Sequence, residues 1–276
     1  MASQQLTDQK KQLRYSEYAH IELTEIEERE AILYFKMLKS RDIEQKLKEE
    51  QKKLKMDKMK SPWNYDELRA EIINRTKLLP FDFILDKDNE RVFHLLCLYF
   101  SGDERFNQEE MVFADGTKIK LSLKKGIGLI SPQKGNGKTV LMNLFQSNKY
   151  RPYFQLDTKY VSAMFNTDGE VAITKHSEPL HFAPMPNYFY RDKIGICFED
   201  LGFELAKNSW GNKSDVMADV LFAIYSKNQI GKDFSNFHFT SNLSGKEFGE
   251  RYDDRIRDRM REMFNVILMP GGTRRK

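Results

Sequence analysis

Cysteine is scarce in this chain of 276 residues: Cys97 and Cys197 are the only two, and they stand far apart. That leaves no disulfide framework and no zinc-ligand pair, and the five histidines form no metal pattern either. Apolar runs are also short. The longest, near Phe93 to Phe100, is far below the roughly 20 residues needed to span a bilayer. Met1 to Gln5 begin no apolar signal region, so the expectation is a cytoplasmic protein of a reducing compartment, without membrane association. No internal repeat is visible. The charge excess is small, 45 Lys and Arg against 41 Asp and Glu. A net charge of +4 permits a nucleic-acid partner without demanding one.

Glycine and proline are missing from Ile21 to Met59, which predicts one long helix. Thr24 followed by Glu27 supplies a capping box. Ile26, Leu33, Leu47 and Leu54 share a seven-residue register that Ser40 interrupts. The companion positions Arg29, Lys36, Ile43 and Glu50 are mostly charged. This disfavours a dimeric coiled coil and favours a helix that packs part of one face. Arg41 to Lys60 reads either as a solvated helix or linker, or as a flexible arm carrying a partner-binding helix.

Ser61-Pro62 and Leu79-Pro80 bracket a predicted helix from Trp63 to Thr76. A second helix is expected from Arg91 to Phe100, and a hairpin around Gly116. These breaks place an N-terminal helical region and charged linker at 1–77 and a larger domain at 78–276. In the larger domain, strands are predicted at Gly126–Ile130, Tyr153–Leu156, Ile194–Phe198, Phe237–Thr240 and Val266–Leu268. Helices are predicted from Val140, at Tyr160–Phe165, Val216–Tyr225 and Gly249–Met263, with a loop-rich stretch at 166–193. Such alternation argues a parallel sheet covered on both faces.

Between the first of these strands and its helix lies Ser131-Pro132-Gln133-Lys134-Gly135-Asn136-Gly137-Lys138-Thr139. It matches the phosphate-loop pattern G-x-x-x-x-G-K-S/T except that Pro132 replaces the first glycine. A triphosphate is held there by backbone N–H groups at a helix N-terminus, here from Lys134, Gly135 and Asn136 through Val140. Gly135 and Gly137 admit close approach of the backbone. Lys138 supplies a point charge to the β- and γ-phosphates, and Thr139 a hydroxyl to Mg²⁺. Pro132 fixes its own φ and donates no N–H.

The strand at Ile194–Phe198 ends in Glu199-Asp200, where ligands of open α/β sheets bind. Glu199 is assigned to Mg²⁺ or its waters, and Asp200 to the attacking water. The shorter Asp base suggests slow turnover. Asn242, at the end of the next strand, is placed to touch the γ-phosphate or orient the water. Arg255 and Arg259 share one helical face. They read either as cations reaching a neighbour's nucleotide or as a solvated face paired with Asp254 and Asp258.

Phosphate loop, Phe198-Glu199-Asp200-Leu201-Gly202, Thr240-Ser241-Asn242-Leu243-Ser244, Glu250-Arg251-Tyr252 with its arginine-rich helix, and a last strand followed by Gly272-Thr273-Arg274 occur in that order. In that order and spacing the chain, over about residues 120–276, resembles the DnaC/IstB-like branch of AAA+ ATPases. That branch comprises bacterial and phage replicative helicase loaders and ATP-dependent transposition helpers. The resemblance implies a P-loop NTPase fold of three α/β/α layers with a mostly parallel sheet, preceded by a helical region; the expectation of no separate C-terminal helical lid is a departure from the family pattern. It implies ATP and Mg²⁺ as ligands. It also implies an ATP-dependent homo-oligomer with Lys138, Thr139, Glu199, Asp200 and Asn242 in cis and Arg255 or Arg259 in trans. A replicative helicase or other DNA-bound protein is the implied partner, gripped by the N-terminal region, with single-stranded DNA as a further ligand. Arg274 is a candidate sensor. Pro132 and the Glu-Asp order depart from the family pattern. Three other readings stay open: a transposition helper on duplex DNA, a nucleotide-switch adaptor that does not hydrolyse, and a small-molecule phosphotransferase.

Overall fold

The computed structural model describes residues 21–113, 116–181, 193–204, 207–209 and 212–274. The chain divides into two compact units, Met1–Met59 and Lys60–Lys276. The first carries helix α1, Glu25–Lys60. Thr24 and Glu27 cap it reciprocally: the Thr24 N–H donates to the Glu27 carboxylate at 2.8 Å and the Glu27 N–H to the Thr24 hydroxyl at 3.4 Å. Among its described side chains the apolar ones are largely in solvent, including Ile26, Ile32, Leu33, Tyr34 and Phe35.

The second unit opens with α2, Tyr65–Thr76, and α3, Glu90–Ser101. Asn64 and Glu67 form the capping box that starts α2. Leu68 and Ile72 of α2 are fully buried, so this helix is part of the core that α3 fills from Val92 to Phe100. A short 3₁₀ turn at Glu104–Gln108 leads to an antiparallel hairpin of β1, Glu110–Val112, and β2, Lys118–Lys120.

The succession then becomes strand and helix. It runs β3 Gly126–Ile130, α4 Lys138–Phe145, β4 Tyr153–Asp157, α5 Thr158–Asp168, α6 Glu170–His176, β5 Leu180–His181 and β6 Lys193–Glu199. A hairpin of β7, Lys207–Ser209, and β8, Asn212–Ser214, precedes α7 Val216–Asn228 and β9 Phe237–Ser241. Helices α8 Gly245–Arg251 and α9 Asp254–Met263 and strand β10 Phe264–Leu268 complete it. The central sheet has the order β10-β3-β9-β6-β4, every neighbour parallel, with β5 pairing antiparallel to β6.

Side chains alternate across this sheet, as strand geometry requires. Ile127, Leu129 and Cys197 join the core beneath α2, α3 and α4, while Ile130, Ile196 and Phe198 join the core with α5, α7, α8 and α9. Helices therefore cover both faces, giving three layers. The arrangement is that of a P-loop NTPase, with β9 inserted between the loop strand β3 and the acid-ending strand β6. Gly126 shows how closely these strands are dressed: a Cβ there would lie 1.7 Å from the Phe237 carbonyl oxygen.

Three stretches differ from the sequence expectation. Glu170–His176 is helical inside the span read as loop-rich. The β7–β8 hairpin carried no period-2 apolar signal. The single helix expected at Gly249–Met263 is two helices, because the Asp253 carboxylate accepts the Ile256 N–H at 2.8 Å and begins a new one. Pro184 and Pro186 lie outside the described residues. Cys97 and Cys197 are buried and free, and burial pushes the Cys97 thiol up to about 12, so neither is a reactive thiolate. No helix among the described residues is long and apolar enough to cross a membrane.

His238 on β9 sits among the rings of Tyr99, Phe100 and Tyr153, with centroids 5.8, 5.4 and 4.9 Å away. Its Nδ1 accepts the Ile127 N–H at 3.0 Å, so the proton is on Nε2, which has no hydrogen-bond partner. Burial, then Arg151, brings its pKa down to about 3. The unfolded chain titrates near 6.5, so below that pH it binds the extra proton and the folded state is penalised. Stability should therefore fall as pH drops from about 6.5 towards 3, by about 2 kcal/mol between pH 6.5 and 5 from this residue. Denaturant melts across that range should show the slope, and His238→Phe should flatten it.

Candidate functional site

The loop between β3 and α4 is built around two glycines in the left-handed region, Gly135 at φ 77° and Gly137 at φ 97°. Gly137 is the N-cap of α4, so the first free N–H groups of that helix open onto the loop. Among the described residues only Asp200 and Lys232 are non-glycines with positive φ. Pro132 therefore occupies an ordinary φ, and its ring fits without strain. The loop is tied down from the far end of the chain: the Arg274 N–H donates to the Gly135 carbonyl at 2.8 Å, and the buried Asn136 amide to the Met269 carbonyl at 3.2 Å. The Arg274 guanidinium meanwhile pairs with Asp86 at 2.9 Å. Lys134 is exposed, its ammonium 5.0 Å from the Phe203 ring centroid. Thr139 presents an exposed side chain in the first turn of α4, with Val140 half-buried behind it.

Lys138 is buried in the loop it belongs to. Its Nζ donates to Asn242 Oδ1 at 2.8 Å, to Asn136 Oδ1 at 3.3 Å, and to the carbonyls of Ser131 and Gln133, each at 3.4 Å. Burial lowers its pKa, and the negative charge of Asp200 opposes this. The other end of the same amide donates: Asn242 Nδ2 reaches Asp200 Oδ1 at 2.9 Å. An ammonium can only donate and a carboxylate only accept, so the Asn242 amide has one satisfiable orientation.

Asp200 sits just past β6 at φ 51°. Its N–H donates to Thr240 Oγ1 at 3.2 Å, and the next N–H, that of Leu201, to the Thr240 carbonyl at 2.8 Å. A left-handed Asp costs about 1 kcal/mol, which these bonds to β9 offset. Glu199 is half-buried at the end of β6, and burial, then Asp200 and Asp157, raise its pKa. Asp157 had not been singled out from the sequence. It ends β4 in register with Glu199 and caps α5 by accepting the Lys159 N–H at 2.8 Å. The signal for it was an acid directly after an apolar strand and before a helix. Thr158 was also missed; its hydroxyl donates to the Glu199 carbonyl at 3.0 Å.

The fold thus brings the loop residues, Asn242 and Asp200 into one hydrogen-bonded group, with Glu199 beside it. Arg255 and Arg259 are on α9, outside that hydrogen-bonded group. Arg255 is exposed, whereas the Arg259 guanidinium lies over Phe222 and Tyr225, 4.3 and 5.0 Å from their centroids. No cluster of three or more His, Cys, Asp or Glu suited to a metal occurs among the described residues.

No family model and no curated protein matches the chain. Solved structures do resemble it, two of them as follows. One is a candidate primosome component from Streptococcus pyogenes serotype M3, with a TM-score of 0.44, 15% identity, and coverage of 70% of this chain and 85% of that one. The other is DnaI, with a TM-score of 0.42, 17% identity, and coverage of 70% and 87%.

The backbone angles make a distinction that thermal unfolding can check. Gly137→Ala forces a Cβ into the left-handed region and should cost about 1–2 kcal/mol. Pro132→Gly should not repair the loop. It should instead lower stability by about 0.5–1 kcal/mol by freeing the unfolded chain.

Proposed function

We propose that this chain is an ATP-binding and ATP-hydrolysing AAA+ protein that assembles with itself and loads or remodels a DNA-bound partner, a replicative helicase. The observation that carries the nucleotide reading is the Asn242 amide joining the phosphate-loop lysine to the acid of the neighbouring strand. Lys138 is held by Asn242, Asn136 and two loop carbonyls. An incoming triphosphate offers it better acceptors, since bonds to ionised oxygens are roughly twice as strong as neutral ones. Lys138 then turns to the β- and γ-phosphates, and the N–H groups from Lys134 to Val140 take the remaining oxygens. Asn242 stays on Asp200 and faces the γ-phosphate. Asp200 accepts the proton of the attacking water.

The residues present fit Mg²⁺. Thr139 and Glu199 are hard oxygen donors, and a cation that keeps several waters and takes phosphate ligands needs few from the protein. When bound, it neutralises charge on the transferring phosphoryl group. The raised pKa of Glu199 suits a carboxylate that is uncomfortable until a cation arrives.

The partner reading rests on the motif order and on what each helix has left to offer. Within residues 1–77, Leu68 and Ile72 are already spent in the core of the ATPase domain. The exposed Ile32, Leu33 and Phe35 of α1 are therefore assigned to the partner. Arg255, free in solvent, is assigned to the neighbouring subunit's nucleotide, and surface lysines and arginines to single-stranded DNA phosphates, which makes DNA binding salt-dependent.

Lys138→Ala should abolish ATP-dependent assembly in sedimentation velocity; unchanged oligomerisation would sink the shared-site model. Arg255→Ala combined with Arg259→Ala should leave ATP affinity within about twofold and lower kcat by about 10³, in line with arginines that act in trans. Full activity would return both residues to a solvated face. A pull-down with Asp200→Asn in ATP identifies the partner, and recovery of a transposase in place of a helicase would redirect the reading.

A further inference from the structure

Glu204 is a buried carboxylate four residues beyond Asp200, 3% exposed, that the cis site does not use. It gathers three donors from two parts of the chain. The Gly202 N–H reaches its Oε2 at 2.8 Å, Arg251 Nη2 reaches its Oε1 at 3.1 Å, and the Tyr252 hydroxyl donates to the same Oε1. Arg251 is held further. It donates to the Glu204 carbonyl at 3.1 Å and pairs with both oxygens of Asp215, the N-cap of α7. Tyr252 is 2% exposed and packs against Phe248 and the Arg251 guanidinium, which lies 4.7 Å from its centroid.

The placement of these groups matters more than their number. Gly202 belongs to the turn that holds Asp200, and Ser241 Oγ donates to the Leu201 carbonyl at 2.6 Å in the same turn. Arg251 and Tyr252 are the last residue of α8 and the residue before Asp253, the N-cap of α9. One carboxylate therefore joins the acid turn to the root of the arginine helix. A buried charge with three donors tolerates little displacement, because each lost donor leaves it under-compensated in a low dielectric. Movement of the Asp200 turn is then passed to α9 instead of being absorbed in the loop.

We propose that Glu204 and Arg251 are a positioning pair that couples the Asp200 turn to helix α9 and so sets the aim of Arg255. Their bonds go to Gly202, Tyr252, Asp215 and each other, not to Lys138, Asn242 or Asp200. The proposal rests on the ATPase reading above, and its test carries one measurement that does not need hydrolysis.

The full-length chain is compared as wild type, Glu204→Gln, Arg251→Met, the double variant and Arg251→Lys. In hydrogen–deuterium exchange without nucleotide, Glu204→Gln should speed exchange of the α9 amides at least tenfold while β3 and β9 keep wild-type protection. Unchanged α9 protection overturns the proposal, and so does an equal loss across β3 and β9, which marks a merely structural role. In ATPase assays each single variant should lower kcat at least tenfold with KM within about twofold. The double variant should be no worse than either single one, since the pair acts as a unit. Arg251→Lys should recover part of the rate. Additive losses, or a raised KM at unchanged kcat, also overturn it. If wild type shows no hydrolysis above Lys138→Ala, the ATPase reading fails, and the exchange result alone decides the coupling.

Discussion

Strand β9 is the single strand between the loop strand and the acid strand, and the site depends on that place. Asn242 stands at its end, between the loop strand β3 and the acid strand β6, and its amide touches Lys138 on one side and Asp200 on the other. The span works only with β9 in its observed register, Gly128 opposite Phe239 and Phe198 opposite Phe239. A slip of one residue would turn every side chain of the strand to the other face. The fully buried run from Phe237 to Ser241 makes such a slip costly. Packing of the sheet and chemistry of the site are therefore set by the same register.

The neutral amide also separates opposite charges that would otherwise collapse onto one another. Lys138 loses hydration in the loop, and its pKa falls; Glu199 loses hydration beside two acids, and its pKa rises. Burial disfavours the charged form of both groups, so their pKa values move in opposite directions. Asp200, in the left-handed region, adds backbone strain at the same place. Backbone strain and poorly hydrated charge concentrate at one spot, as they do at functional sites.

Most of the sheet was legible in the sequence because its strands are short, apolar and bounded by glycines, prolines and acids. The loop was legible because Gly137-Lys138-Thr139 sits between a strand and a helix. Asn242 was readable only as a strand-end amide, a weak signal until its two contacts are seen. The break at Tyr252-Asp253 was not legible, since an Asp within a charged helix looks like any other solvated acid; only tertiary burial of Tyr252 shows that the chain turns there. Glu204 was hidden for the same reason. Its neighbours Arg251 and Tyr252 are 47 and 48 residues away, and no local pattern announces a contact of that range.

The order in which the site's parts leave the ribosome follows from the place of β10. This strand, Phe264–Leu268, is the partner that flanks β3 on its open side, and Asn136 and Gly135 take their anchors from Met269 and Arg274. A nascent chain that has already made the phosphate loop still lacks one neighbour of its strand and both anchors of its loop. Until β10, Met269 and Arg274 emerge, β3 exposes an unpaired edge and the loop has no reason to hold its shape. The phosphate-loop motif is thus the first of these motifs to be written, and its shape waits for β10.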